Sequence, residues 1–264
     1  DAKTPENAVD SIPTHTLGAC SYTSMYKILT CFPSVSAMAS LQMYQTFVFL
    51  DIETTGLPQD SPRMAELCMF AVNCRSLQRS SLDRLLTPQQ QLPRIIDKLT
   101  LCMDPQKPFT LQAELITGLS KQGLEENHKP QVNKAMAEAV KGFLDRQAGP
   151  VCLVAHNGNG FDFPILRAEL KQVGADLPAS IGCLDTLPAL RELVKSGSRS
   201  YRLGDLYRSF YHQDPVAAHS AEGDVITLLL VFLAKAPELM LWASIHASSW
   251  GEIQPMYFPR TNSR

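Results

Sequence analysis

The chain has 264 residues, 45% of them hydrophobic, and 24 Lys and Arg against 26 Asp and Glu leave a formal charge of −2. That length builds one sizeable globular domain or two small ones, and the longest apolar run, Val225 to Ala234, is far too short to cross a bilayer. The near-neutral balance leaves a nucleic-acid partner open, because phosphate is attracted by local basic surface and by bound cations that the formula omits.

The first stretch, residues 1–45, is rich in Ser, Thr, Met and Pro and shows no sustained period. It reads as a poorly ordered N-terminal extension. No basic head followed by a long apolar stretch marks a secretory signal. The folded domain is expected over 46–258, with a short tail over 259–264. Phe47-Val48-Phe49-Leu50 is a continuous run of strand formers, as in a strand buried on both faces. Glu66 to Val72 and Lys98 to Met103 are two further strands, the second alternating polar and apolar. Between them, Asn73 to Pro93 is polar, contains Pro88 and Pro93, and reads as a long connecting loop. Gln131 to Gln147 carries Val132, Met136, Val140, Phe143 and Leu144 on one helical stripe, stopped by Gly149-Pro150. Val151 to Ala155 and Ile181 to Leu184 are short buried strands. Phe161 to Val173, Leu203 to Tyr211, Ala221 to Ala234 and Pro237 to His246 are helices. Three early strands followed by helices and short strands predict an α/β layered domain. Seven scattered cysteines without CxxC spacing (Cys68, Cys102, Cys152 and Cys183 inside apolar runs) read as buried free thiols of a reducing compartment. An intracellular protein is therefore expected.

The chemistry begins at Asp51-Ile52-Glu53-Thr54-Thr55-Gly56. Strand alternation puts Asp51 and Glu53 on one face, where each raises the other's pKa unless a cation lies between them. The plainer alternative is a strand that ends in polar residues, with Gly56 forming a turn. Asp162 shares a helical stripe with Leu166, Leu170 and Val173, and Asp224 shares one with Leu228 and Val231. A carboxylate on a buried stripe is costly unless paired or metal-bound; alternatively, both are first-turn residues favoured by the helix dipole. Four oxygen ligands without a thiolate suit Mg²⁺ or Mn²⁺ rather than zinc. His219, five residues before Asp224, is placed to take a proton from an attacking water, or else to serve as a capping or core histidine. His156-Asn157-Gly158 reads as a turn that sets His156 in a wall of the site.

Order and spacing then resemble a known family. Asp51-x-Glu53, Asp162 and His219-x4-Asp224 are similar to the DEDDh exonucleases, the class of proofreading subunits and oligoribonuclease. The resemblance is closer to the three-prime repair exonucleases of animals. It is carried by Phe49-Leu50-Asp51-Ile52-Glu53-Thr54-Thr55-Gly56-Leu57-Pro58, Ile116-Thr117-Gly118-Leu119-Ser120, Cys152-Leu153-Val154-Ala155-His156-Asn157-Gly158, Asp162-Phe163-Pro164, Tyr201-x-Leu203-Gly204, His219-Ser220-Ala221-Glu222-Gly223-Asp224-Val225 and Pro255-Met256-Tyr257. It runs from about Gln45 to Phe258. Arg146-Gln147-Ala148-Gly149-Pro150 brings the chain nearer the subtype without a membrane-anchored tail.

The resemblance implies an RNase H-like exonuclease fold, with a mixed central sheet flanked by helices, and a homodimer joined through the edge strand at Lys98 to Met103. It implies removal of nucleotides from DNA 3′ ends as nucleoside 5′-monophosphates, and a place in the nucleus or cytoplasm. Asp51, Glu53, Asp162 and Asp224 would hold two Mg²⁺ ions, for which Mn²⁺ can substitute, with His219 as general base. One ion would activate water while the other stabilises the leaving 3′ oxygen. Substrate would be met by Glu53, Thr54, Leu57, Ile116, His156, Phe161, Ser200 and Asp224, with Leu57 and Ile116 as apolar surfaces for unpaired terminal bases. The family commonly has Ala at Thr54, Tyr at Phe161 and a charged residue at Gly160; losing the Tyr hydroxyl removes a phosphate hydrogen bond and implies lower activity. Two alternatives use the same residues: an exoribonuclease of this class, or a catalytically weak nucleic-acid-binding relative.

Overall fold

The apolar run after Gln45 becomes the centre of a six-stranded sheet. The structure is a computed structural model, and it describes residues 43–80, 87–194 and 200–258. The expected extension up to residue 42 and the tail from 259 lie outside the described residues. Tyr44 and Gln45, just ahead of the expected start of the domain, join the fold: Tyr44 is buried against Phe47 and the Gln45 N–H bonds the Pro150 carbonyl at 2.8 Å.

The strands are β1 (Thr46–Thr54), β2 (Met64–Asn73), β3 (Ile95–Cys102), β4 (Val151–Ala155), β5 (Gly182–Asp185) and β6 (Ser248–Ser249), in the order β3-β2-β1-β4-β5-β6. β2 pairs antiparallel with β1 and with β3, β4 and β5 follow parallel to β1, and β6 closes antiparallel on β5. The helices are α1 (Cys74–Ser80), α2 (Pro88–Gln91), α3 (Leu111–Thr117), α4 (Lys121–Glu126), α5 (Lys134–Asp145), α6 (Asp162–Gln172), α7 (Thr186–Leu193), α8 (Leu203–Tyr211), α9 (Ala221–Leu233) and α10 (Ala236–His246).

Period-2 alternation sorts β1 between two helical layers. Phe47 and Phe49 face α8, α9 and α10, whereas Val48, Leu50 and Ile52 face α5 and α6. The helices bury what their patterns predict, including Met136, Val140, Phe143 and Leu144 of α5. α9 is apolar nearly all round and is buried accordingly. Among the described residues no single helix is long and apolar enough to cross a membrane.

The expected loop from Asn73 to Pro93 is corrected: it contains α1 and α2, the second started by Thr87, whose hydroxyl accepts from the Gln90 N–H. The short α3, α4 and α7 were also missing from the expectation. Helices of six to eight residues are too brief to display a 3.6-residue period. Cys68, Cys152 and Cys183 are buried free thiols as expected, while Cys102 is only half-buried.

Candidate active site

β1 delivers the first two carboxylates. Phe47 and Phe49 pack on Phe232 of α9, with ring centroids 5.7 and 5.1 Å apart. Asp51 and Glu53 continue the same face of β1 toward the first turn of α9, where Asp224 lies. The eight residues from Phe232 back to Asp224 span about 12 Å of helix, which matches the advance along β1 from Phe49 to Glu53 of about 13 Å. Aromatic packing in the core thus sets where the acids meet. One carboxylate oxygen from each of Asp51, Glu53 and Asp224 lies within 4.8 Å of the other two.

Asp162 enters from the opposite layer. β4 ends in a turn in which Asn157 adopts a left-handed φ of 61°. A side chain at Gly158 would meet the Phe163 ring at 2.7 Å and the Ala155 Cβ at 2.8 Å. Glycine there lets Phe163 tuck under the turn and brings the buried Asp162 to the start of α6, where its carboxylate accepts the Ile52 N–H of β1. Of the four expected carboxylates three form the tight cluster, while Asp162 lies against β1 with its charge felt at Asp51.

The electrostatics show what such a cluster lacks. Asp51 is pushed well above the usual aspartate range by burial and by the charges of Asp162, Asp224, Glu53 and Glu66. Glu53 rises to about 7 through burial and the charges of Asp224 and Glu66, and Asp162 to about 8, chiefly through burial. Asp224 also rises on burial, opposed by the His219 N–H. Compressed anionic oxygens without a thiolate among them are the donor set of a hard divalent cation, which would remove the repulsion that raises them. The residues therefore fit a divalent metal site.

His219 is exposed, in left-handed backbone at φ 69°, and its N–H donates to Asp224 Oδ2 at 3.0 Å. Ser220 caps α9 by accepting the Gly223 N–H at 3.2 Å and donates to the Ala217 carbonyl at 3.0 Å. A Cβ on Gly223 would lie 1.9 Å from that carbonyl oxygen. Only glycine at this position allows the loop to fold back over the helix start and carry His219 to Asp224.

A groove of about 440 Å³ opens beside these groups, lined by Asp51, His156, His219 and Asp224 and also by Arg202, Asp205 and Arg208. His156 is fixed in that wall: one ring nitrogen bonds the Tyr201 carbonyl at 2.8 Å and the other the Thr186 hydroxyl at 2.9 Å. Burial pushes it toward the neutral form, so Nε2–H donates to Tyr201 and Nδ1 accepts. The remaining expected contacts are more scattered. Thr54 is buried with its hydroxyl committed to the Gly56 carbonyl at 2.7 Å. Leu57 and Ile116 are exposed, at 59% and 42%. Phe161, half-buried, precedes Asp162 at the N-terminus of α6, and Ser200 accepts the Arg202 N–H at 3.3 Å. Lys195 and Arg199, shortly ahead of Tyr201, lie outside the described residues.

Sequence reasoning missed the supports. Glu66 stands opposite Glu53 in the β1–β2 register and accepts the Ala221 N–H at 3.1 Å, which ties the start of α9 to the sheet. Asp185 accepts from Asn159 and Leu187, caps α7 and adds to the charge felt by Asp162. Glu169, fully buried on α6, accepts a two-pronged bond from Arg63 at 2.7 and 2.9 Å, the Met64 N–H, and the Tyr257 hydroxyl at 2.6 Å. Of these only Asp185, just before a helical segment, carried a local signal, that of an N-cap.

Comparison with known proteins agrees with this arrangement. A family model described as Exonuclease matches residues 48–232. Three prime repair exonuclease 2 of Homo sapiens is 50% identical over 230 residues, covering 84% of this chain and 97% of that protein. Three-prime repair exonuclease 1 of Bos taurus is 39% identical over 228 residues, covering 83% and 72%. Among solved structures, the zinc-bound complex of E. coli exonuclease I with single-stranded DNA superposes with a TM-score of 0.55 at 21% identity, over 74% of this chain and 42% of that one. The last shows a shared fold alone, the mixed sheet flanked by helices of the RNase H-like exonucleases. With its acidic cluster, its histidine loop and this degree of identity, the chain belongs to the three prime repair exonuclease family.

Proposed function

We propose that the protein is a 3′-to-5′ deoxyribonuclease that releases nucleoside 5′-monophosphates from DNA ends and works with Mg²⁺, for which Mn²⁺ can substitute. The observation that carries this reading is the triple of Asp51, Glu53 and Asp224 oxygens within 4.8 Å of one another, with His219 hydrogen-bonded to Asp224 at the edge of the same groove. Asp51, Glu53, Asp162 and Asp224 are the residues that would hold two divalent ions, whose chemistry is to polarise the phosphate and lower the pKa of a bound water. His219 holds its backbone on Asp224 and presents an exposed ring to solvent, so it takes the proton of the attacking water. Water oxygen bonds to phosphorus, the bond to the 3′ oxygen breaks, and the shortened strand keeps a 3′ hydroxyl. The half-buried, doubly bonded His156 positions the wall rather than moving protons.

The grip on the strand follows from exposure. Leu57 and Ile116 offer exposed apolar surface suited to unpaired terminal bases, so single-stranded or frayed ends are preferred over blunt duplex. Thr54, Phe161 and Ser200 complete the neighbourhood of the last nucleotides. The two human and bovine relatives are named for 3′ repair, and the solved relative is complexed with single-stranded DNA, both of which support DNA as substrate. The alternating β3 at the open edge of the sheet supports pairing of two copies about a two-fold axis. Unpaired cysteines support an intracellular site, nucleus or cytoplasm.

The test is hydrolysis of DNA and RNA oligonucleotides of one sequence, with Mg²⁺, with Mn²⁺ and with chelator, and identification of the products. Nucleoside 5′-monophosphates from DNA are expected. Faster release from RNA would place the protein with the exoribonucleases, and nucleoside 3′-monophosphates would contradict the proposed bond cleavage.

A further inference from the structure

The groove that holds the acids is also lined by two guanidinium groups that differ in their ion pairing. Arg208 is already neutralised: its Nε bonds Asp214 Oδ1 at 2.6 Å and its Nη1 bonds Asp205 Oδ1 at 2.8 Å. Arg202 is exposed and makes no close ion pair among the described residues, although its charge is felt by Asp205. Asp205, three residues on, is engaged by Arg208 and by the Ser200 hydroxyl. The backbone at Arg202 is nevertheless held firmly. Its N–H bonds Ser200 Oγ at 3.3 Å, and the preceding carbonyl, that of Tyr201, is held by His156 at 2.8 Å. The groove therefore carries a cation without a close ion pair, on a backbone held in place, together with the carboxylates of Asp51 and Asp224. Every nucleotide beyond the last adds a negative charge to a strand lying there, and a cation without a close partner attracts it at the least cost.

We propose that Arg202 binds a phosphate of the DNA strand upstream of the bond that is cut, and so sets affinity for strands rather than the rate of the chemistry. This rests on the nuclease reading above, and the experiment separates the two. Steady-state kinetics are measured for the unmodified protein, Arg202→Ala and Arg202→Lys. One substrate is a single-stranded oligonucleotide over about a tenfold range of salt; the other is the nitrophenyl ester of thymidine 5′-monophosphate, which carries the scissile phosphate alone. Arg202→Ala is expected to raise KM for the oligonucleotide several-fold with kcat unchanged. It should also lower the slope of log(kcat/KM) against log[salt] by about 0.7, the value of one phosphate contact on a single strand. Arg202→Lys should keep the slope, and cleavage of the nitrophenyl ester should be the same in all three proteins. An unchanged KM and slope in Arg202→Ala, or an equal loss on the nitrophenyl ester, would overturn the assignment. Failure of the unmodified protein to cut either substrate would overturn the nuclease reading and the inference with it.

Discussion

Removing divalent cations while raising the pH should destabilise the protein by an amount that the acidic cluster sets. Glu53 is the most tractable member, lifted from the ordinary value of 4.5 to about 7 by burial and by its acidic neighbours. A folded-state pKa above the unfolded one means that the folded protein binds more protons between those values. Stability is then fully present below the unfolded pKa and is lost as pH rises through the folded one. At about 1.36 kcal/mol per pKa unit, Glu53 alone costs about 3 kcal/mol by the time pH passes 7. For a domain of this size that is a fall in Tm of roughly 6–12 °C. Asp162, raised to about 8, carries the decline to higher pH. A bound cation abolishes the repulsion, so the gap in Tm between protein with Mg²⁺ and protein with EDTA should widen steadily from pH 5 to pH 8. Asp51→Asn removes one of the opposing charges, so this variant without metal should melt higher than the unmodified protein at pH 8. Scanning fluorimetry of both proteins across that range is the assay. A gap that does not change with pH, or an Asp51→Asn variant no more stable than the original, would refute the electrostatic argument.

Other consequences concern the base, the grip and the assembly. His219→Ala should slow turnover by about 10²-fold or more with little change in DNA affinity. Gly223→Ala should be slow for the same reason, because its Cβ displaces the Ala217 carbonyl and with it the histidine loop. The double variant should be no worse than either alone, and additive losses would separate Gly223 from His219. Leu57→Ala should weaken binding of single-stranded ends by about 1–3 kcal/mol in single-turnover titrations, and equal rates of the unmodified protein on frayed and blunt ends would remove the apolar wedge. Pairing through β3 predicts a dimeric mass by light scattering at micromolar concentration, whereas a monomer would contradict it.

How far the residues themselves disclosed this site depends on the range of the interactions. β4, α8 and α9 were legible to within a residue, because each is bounded by its own signals: Gly149-Pro150 ahead of β4 and Ser220 as the cap of α9. The five residues proposed for the reaction were legible because their spacing resembles that of a known family, and strand alternation supplied a physical reason for Asp51 and Glu53. α1 and α2 hid in a polar stretch, and α3, α4 and α7 are too short for a period to emerge. The supporting acids were invisible for a different reason. Glu66 meets Ala221 across 155 positions and Glu169 meets Arg63 across 106, so nothing nearby in the chain marks either one. Arg202 was legible as a charge, but its lack of a close ion pair was not, since that depends on Arg208 taking both Asp205 and Asp214. Thr54 shows the limit of a resemblance: the residue stands at the expected position, yet its hydroxyl is spent on the Gly56 carbonyl.

The central claim is that the Asp51, Glu53, Asp162 and Asp224 cluster hydrolyses DNA from its 3′ end with the help of a divalent cation. The most direct measurement follows a 5′-labelled single-stranded DNA oligonucleotide on a sequencing gel, with Mg²⁺, then with EDTA, and with the Asp224→Asn protein. The account predicts a ladder that shortens one nucleotide at a time from the 3′ end with Mg²⁺, and a full-length strand in the other two lanes. Shortening that persists in EDTA or in Asp224→Asn, or a label released at once as a mononucleotide from the 5′ end, would contradict it.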